Sequence, residues 1–205
     1  MELMRNYELR LVKQASEGDR DAFREIVEDN KKKIFYLAFD LTGSRQDAED
    51  LSQDVFLKAF RALHMFKGDA SISTWLHRIT LNAFLDQKRK KSFEMEKKQE
   101  PLDERLPGSA EPVFENNPSP SLGNPETYAE SRQMQMHIEQ ALEQLTPRER
   151  AVFVMRHYQG MTGKAVGELL RISEGTVKSL LSRAIKKLQK TLGFYRDSLK
   201  IGTEV

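Results

Sequence analysis

Cysteine is absent from the 205 residues. Its absence excludes disulfides, thiol nucleophiles, thiolate metal sites and iron–sulfur clusters. Long apolar runs are missing as well. No uncharged stretch approaches the ~20 residues needed to span a bilayer, and the opening MELMRNYELRLVKQ mixes charges throughout, without the apolar core of a signal peptide. A cytoplasmic protein with no membrane insertion is the expectation. Phosphate loops of the G-x-x-x-x-G-K-[ST] or G-x-G-x-x-G type do not occur. The histidines, His64, His77, His137 and His157, never pair at the i, i+4 spacing of a helical zinc site. The carboxylates fall on expected solvent faces or in a polar connecting stretch. These absences leave no enzyme reading, and no catalytic residue, metal or cofactor is expected.

Sustained period-two alternation is also lacking, so the fold class expected is all-α, with essentially no sheet. Proline is scarce outside one stretch: of seven, six (Pro101, Pro107, Pro112, Pro118, Pro120, Pro125) fall between residues 101 and 125. Each removes a backbone donor and disfavours helix at the preceding residue. The residues between them are mainly Ser, Asn, Gly, Asp and Glu, too polar to offset the entropy of ordering. Residues 93–130 therefore read as a flexible, acidic, Pro-rich linker between two small helical domains, 1–92 and 131–192, with a tail at 193–205.

What is abundant is charge, at 31% of residues, with a net of only +2. Its layout is uneven. Residues 1–92 carry a net +2, residues 93–130 a net −6 and residues 131–205 a net +6. A basic C-terminal segment suits an anionic partner such as nucleic acid; a solvated helix face explains it equally well.

Helical spacing is strong on both flanks of the linker. Phe23, Ile26, Val27, Ile34, Leu37, Ala38 and Leu41 form one stripe, opened by Asp19 or Asp21 and closed by Gly43. Ser44 reads as the next N-cap, before a stripe of Ala48, Leu51, Val55, Ala59 and Leu63. A third helix, about residues 72–91, is expected to bury Trp75, Leu76, Ile79 and Ala83. Beyond the linker, Met136, Ile138, Ala141, Leu142 and Leu145 lead into Thr146-Pro147-Arg148-Glu149, a capping box with proline at the first helical position.

The last two helices carry the most mechanism. One spans about residues 162–170, with Ala165, Val166, Leu169 and Leu170 inward. After a tight turn at residues 171–173, Ser173 caps EGTVKSLLSRAIKKLQK. There Val177, Leu181, Ala184, Ile185 and Leu188 are expected inside, and Lys178, Ser179, Ser182, Arg183 and Lys186 outside. A helix of this girth fits the DNA major groove, where Lys, Arg and Ser can meet base edges and phosphates. Gly175 and Thr176 near its start allow close approach. The alternative is an ordinary helical hairpin with a basic face.

Three segments in order, AEDLSQDVFLKAFRAL, SISTWLHRITLNAFLDQKRKK and LTPRERAVFVMRHYQGMTGKAVGELLRISEGTVKSLLSRAIKKL, resemble a bacterial sigma factor of the extracytoplasmic-function (ECF) group, in the sigma-70 family. The resemblance covers about residues 7–192 without the linker. It implies a region-two bundle and a region-four helix-turn-helix that direct core RNA polymerase to promoter DNA and promote strand opening. It implies that Asp50, Leu51, Gln53, Asp54 and Phe56 dock on the polymerase. It assigns Phe66–Thr74, including Lys67, Ser73 and Thr74, to the loop that takes a flipped base of the minus-ten element. Trp75 and Arg78 stand beside that loop, although Trp75 read by itself belongs to the core. Asn82, Asp86 and Arg89 match a promoter-reading row, with Asp86 placed to orient Arg89 and with Lys88, Lys90 and Lys91 continuing a phosphate track.

For the minus-thirty-five element the resemblance implies Thr176, Lys178, Ser179, Ser182 and Arg183 on the recognition helix, and phosphate contacts at Arg148 and Arg171. Two positions depart from the pattern: Leu180 stands where a basic residue is common, and Gly163-Lys164 replaces an acidic pair. The first removes a phosphate contact or marks a surface for another protein. An inhibitory anti-sigma factor is a further expected partner. The competing readings are a stand-alone helix-turn-helix transcriptional regulator and a protein-interaction module without a DNA role.

Overall fold

Local capping rules account for most helix ends in the computed structural model, which describes residues 2–97, 134 and 136–193. The chain divides into two units, Met1–Ser109 and Ala110–Val205. The first holds α1 (Glu2–Ser16), α2 (Arg20–Thr42), α3 (Arg45–Ala62), a short 3-10 turn (Leu63–Met65) and α4 (Ile72–Lys97). The Asp19 carboxylate opens α2 by accepting from the N–H groups of Asp21 and Ala22, at 2.9 and 3.1 Å. Gly43, at φ +74°, closes it with its N–H on the Phe39 carbonyl. Ser44 then caps α3 through the Asp47 N–H at 3.3 Å.

The core of this unit is Ile34, Leu37, Ala38 and Leu41 from α2, Ala48, Leu51, Val55 and Ala59 from α3, and Leu76, Leu81 and Phe84 from α4, all essentially inaccessible. Buried hydroxyls cost little because they bond back one turn: Ser52 donates to the Ala48 carbonyl at 2.6 Å and Thr80 to that of Leu76 at 2.9 Å. Three features differ from the sequence expectation. Helix α1 was not anticipated, yet it buries Leu11, Val12 and Ala15. Ile79 is only half-buried, and Leu81 and Phe84 join the core instead. Helix α4 packs against both α2 and α3, so it is covered on more than one side and a single-stripe reading misplaces its core residues. It also continues to Lys97, so residues 93–97 of the expected linker are helical.

The second unit holds α5 (residues 136–143), α6 (Pro147–His157), α7 (Gly163–Leu170) and α8 (Glu174–Thr191). The capping box forms as expected. The Thr146 hydroxyl accepts from the Glu149 N–H at 3.3 Å, and the Glu149 carboxylate accepts from the Thr146 N–H at 2.9 Å. Glu149 is buried and also takes a hydrogen bond from Lys187 of α8 at 2.7 Å. Burial pushes this carboxyl up. The hydrogen bonds from Lys187 and from the Thr146 backbone and hydroxyl more than offset it, and hold it below its usual value.

Ala141, Leu142 and Leu145 pack on Ala184 and Leu188 of α8, while Met136 is exposed. On α8, Leu180 is buried and Leu181 half-buried. The adjacent leucines exchange the places expected of them. Among the described residues there is no strand, so the fold is all-α. The rest of the linker, residues 98–130, residues 131–133 and the tail at 194–205 lie outside the described residues.

Candidate nucleic-acid interface

The turn between α7 and α8 is built to a tight tolerance. The Thr162 hydroxyl caps α7 through the Ala165 N–H at 3.2 Å, and the Ser173 hydroxyl caps α8 through the Thr176 N–H at 3.1 Å. Arg171 ends α7 at φ +56°, and the Ile172 N–H bonds to the Gly167 carbonyl at 2.9 Å. A Cβ on Gly167 would lie 2.8 Å from the Ile172 carbonyl oxygen and 3.7 Å from the Val177 side chain. Glycine at 167 therefore lets α7 close against the turn. The sequence reading did not single it out, and the small residue inside an apolar helix was its only signal. Arg171, a non-glycine in the left-handed region, keeps a cation beside the start of α8 at a cost of ~1 kcal/mol or more.

Arg148, Arg171, Thr176, Lys178, Ser179, Ser182 and Arg183 are all exposed. The last four crowd the N-terminal half of α8. Lys178 is held by Glu174 at 3.2 Å, and the Arg183 Nε donates to the Ser179 carbonyl at 3.4 Å. Exposed pairs of this kind are weak, so a phosphate can replace the carboxylate. Leu180 is 7% exposed, which corrects the expectation that it offers or loses a surface contact; it packs in the core.

The second cluster runs from the 3-10 turn into α4. The Phe66 N–H closes on the Leu63 carbonyl at 3.0 Å, and the Phe66 ring meets Trp75 edge-on at 5.5 Å. Trp75 is 8% exposed, a core residue with one edge toward the loop. Ser71 caps α4 through the Thr74 N–H at 3.1 Å and shares a hydroxyl contact with Thr74 at 2.9 Å, so Thr74 helps fix the helix start. Lys67 is exposed, and Ser73, Thr74 and Arg78 are half-buried. Farther along, Asn82, Asp86 and Arg89 are exposed on one face, with Arg89 on the Asp86 carboxylate at 3.0 Å. Lys90 faces Glu94 at 3.8 Å and Lys91 faces Asp47 of α3 at 3.7 Å. His77, also on α4, has a buried Nε2 without a hydrogen-bond partner among the described residues. Burial first, and then Lys33 of α2, pulls this imidazole below its ordinary value, so it is neutral near pH 7.

The third cluster lies on α3. Asp50 and Gln53 are exposed, Asp54 and Phe56 half-buried, and Leu51 fully buried. Leu51 thus supports the helix from behind and offers no surface of its own. Asp54 is held by Lys58 at 2.7 Å. Gln53 and Phe56 open onto a mostly apolar groove of about 640 Å³, lined also by Arg20, Phe23, Val27, Leu57 and Phe60. Leu57 and Phe60 are 58% and 49% exposed, and the Phe23 and Phe60 rings meet edge-on at 4.9 Å. The sequence reading placed Phe23 and Val27 in the core and passed over Leu57 and Phe60. Their one-turn spacing from Gln53 and Phe56 was the available signal. Among the described residues, no three carboxylate, imidazole or thiol groups gather into a cluster that could hold a metal. No helix among them is long and apolar enough to cross a membrane.

Comparison with known proteins bears on these surfaces. Residues 26–94 match the family model described as Sigma-70 region 2, and residues 135–188 match Sigma-70, region 4. The chain is similar to the ECF RNA polymerase sigma factor SigW of Bacillus subtilis (strain 168), at 32% identity over 88% of this chain and 94% of the relative. In fold it is similar to the sigma factor RpoE solved with the anti-sigma factor NepR from Bartonella quintana. That match has a TM-score of 0.62 and 22% identity, and covers 83% of this chain and 96% of the other. It is also similar to CnrH, solved in complex with the cytosolic domain of CnrY, with a TM-score of 0.59 and 22% identity over 91% of this chain and 97% of the other. Two helical units that match sigma-70 regions two and four, in that order and along nearly the whole of a relative, place this chain among the ECF RNA polymerase sigma factors.

Proposed function

We propose that the chain brings core RNA polymerase to its promoters by dividing the work among these three surfaces. Residues 1–92, with the α4 extension to Lys97, form the region-two lobe, which docks on polymerase and handles the minus-ten element. Residues 131–192 form the region-four lobe, which reads the minus-thirty-five element. The remainder of the expected linker, up to residue 130, connects them. The observation that supports the reading is that Lys178 and Arg183 of α8, and the Asn82, Asp86 and Arg89 row of α4, all stand exposed on helices.

On α8, Lys178 and Arg183 suit guanine edges and phosphates, Ser179 and Ser182 suit either, and Thr176 permits close approach. Arg148 and Arg171 flank this helix as phosphate contacts. On the first lobe, Phe66, Lys67, Ser73 and Thr74 line the path of an unstacked strand. Trp75 and Arg78 supply an aromatic edge and a cation beside it. Asn82 reads a base edge while Asp86 steadies Arg89. Asp50, Gln53, Asp54 and Phe56 meet polymerase, with Leu51 fixing their helix. The apolar groove beside them gives that docking its hydrophobic centre, and the acidic residues its preference for a basic helical partner. The chain itself makes and breaks no bonds; polymerase does.

Both solved structures named above are complexes with a second chain, one of them named as an anti-sigma factor. An anti-sigma factor is the regulatory partner we propose for this chain. Transcription in vitro with core polymerase tests the whole. The double substitution Lys178→Glu and Arg183→Glu should abolish minus-thirty-five-dependent initiation while leaving core binding intact. Tight, palindromic footprints of the chain without polymerase would favour the stand-alone regulator instead.

A further inference from the structure

We infer that α1, which lies outside the matched region-two segment (residues 26–94), is a positioning element for the loop that takes the flipped minus-ten base, and that it acts through Leu9. This inference rests on the role proposed above for Phe66–Thr74. Gly68, the third residue of that loop, is buried and sits at φ +76°. A Cβ there would fall 2.7 Å from the Leu9 Cδ2, so the tip of this leucine, which is 39% exposed, occupies the space that a side chain at 68 would need and would have to swing outward to admit one. Helix α1 also packs on the 3-10 turn from which the loop departs.

Two further contacts fix the ends of this arrangement. The Tyr7 hydroxyl donates to the Glu25 carboxylate and ties α1 to α2. The Phe66 ring meets Trp75 edge-on, so α4 holds the loop at Phe66 and α1 meets it at Gly68. A loop closed between two helices presents Lys67 and Ser73 in one geometry, and such preorganisation lowers the cost of ordering the loop around an extruded base. Leu9 touches no DNA in this scheme. It keeps Gly68 in a left-handed turn that residues with a Cβ adopt at a cost.

The test is a mutant cycle read as the ratio of opened to closed promoter complex, formed by the full chain with core polymerase on a promoter that it transcribes. Permanganate reactivity of minus-ten thymines reports opening, and a filter-binding assay reports total complex. This ratio does not change when less of the chain is folded. Leu9→Ala should lower it about threefold and Gly68→Ala about tenfold, with Leu9→Met within about twofold of the native ratio. Because the Cβ added at 68 meets the tip of Leu9, Leu9→Ala should recover part of the loss in the Gly68→Ala background, the remainder being the cost of a Cβ at positive φ. A native ratio for Leu9→Ala, or losses that multiply in the double variant, would overturn the inference. Lys67→Glu separates it from the reading beneath it. If Lys67→Glu lowers opening and Leu9→Ala does not, only the role of α1 falls. If Lys67→Glu leaves opening at its native level, the loop does not take the base, and both fall.

Discussion

The two lobes present their proposed DNA-facing side chains in opposite ways. On the region-four lobe every candidate is exposed, and α8, which carries Thr176, Lys178, Ser179, Ser182 and Arg183, is buried through Val177, Leu180, Ala184 and Leu188. On the region-two lobe the candidates are graded: Trp75 is buried, Ser73, Thr74 and Arg78 are half-buried, and Asn82 and Arg89 are exposed. The first arrangement suits a duplex, whose groove accepts a preformed convex helix. The second suits a strand that must be unstacked and held, because a pocket needs walls and the walls are core residues. Recognition and stability are therefore separable on α8 and entangled at the start of α4.

The largest effect expected from this contrast is at Trp75. Trp75→Ala should cost ~3–5 kcal/mol of stability and strand opening with it, seen as a lowered thermal midpoint and lost permanganate reactivity. Full opening with a native midpoint would break the comparison. Next comes Lys187→Met, which strips the buried Glu149 carboxylate of its cation. Because Lys187 is 40% exposed, the loss should be ~1–3 kcal/mol rather than that of a fully buried pair, read from urea unfolding of the full chain. The native pair also has a pH signature. Glu149 is held below its ordinary value near 4.5. The stabilisation is therefore complete above about that pH and is lost as pH falls through the depressed value; Glu149→Gln should flatten that acid limb. Arg183→Ala should then cost ~1–3 kcal/mol of minus-thirty-five affinity with an unchanged midpoint. A change in midpoint would mean that α8 is not the separable surface described here.

Features fixed by neighbours in sequence were legible, and those fixed by neighbours in space were not. The caps at Asp19, Gly43, Ser44, Thr146 and Ser173 follow from short-range hydrogen-bond rules, and each forms. The all-α class and the helix-turn-helix follow from periodicity in the same way. Helix α1 was missed because Leu11, Val12 and Ala15 are a short apolar set among charges. The Leu180–Leu181 exchange turns on a rotation of about 100° per residue, which two adjacent leucines leave undetermined. Gly167 and Gly68 matter through a carbonyl and a methyl that only the folded chain brings near. The apolar groove escaped notice because its walls come from two helices, α2 and α3, each of which reads as an ordinary amphipathic segment.

The smallest effect concerns His77, the region-two counterpart of Glu149. Glu149 is buried with every partner it needs, whereas the buried Nε2 of His77 has none among the described residues. Its value is depressed, so the unfolded chain binds the proton more readily than the folded one. Stability should be constant above about pH 6.5, the ordinary value, and should fall as pH drops through the depressed value. His77→Gln should remove this slope, measured as the midpoint of the first lobe across pH. Lys33→Met is the sharper variant. Burial is the larger cause of the depression and the Lys33 charge the smaller, so removing the cation should make the slope shallower without abolishing it. A slope that vanished with Lys33 would mean that charge repulsion between α2 and α4, and not burial of the ring, keeps the imidazole neutral beside the proposed minus-ten surface.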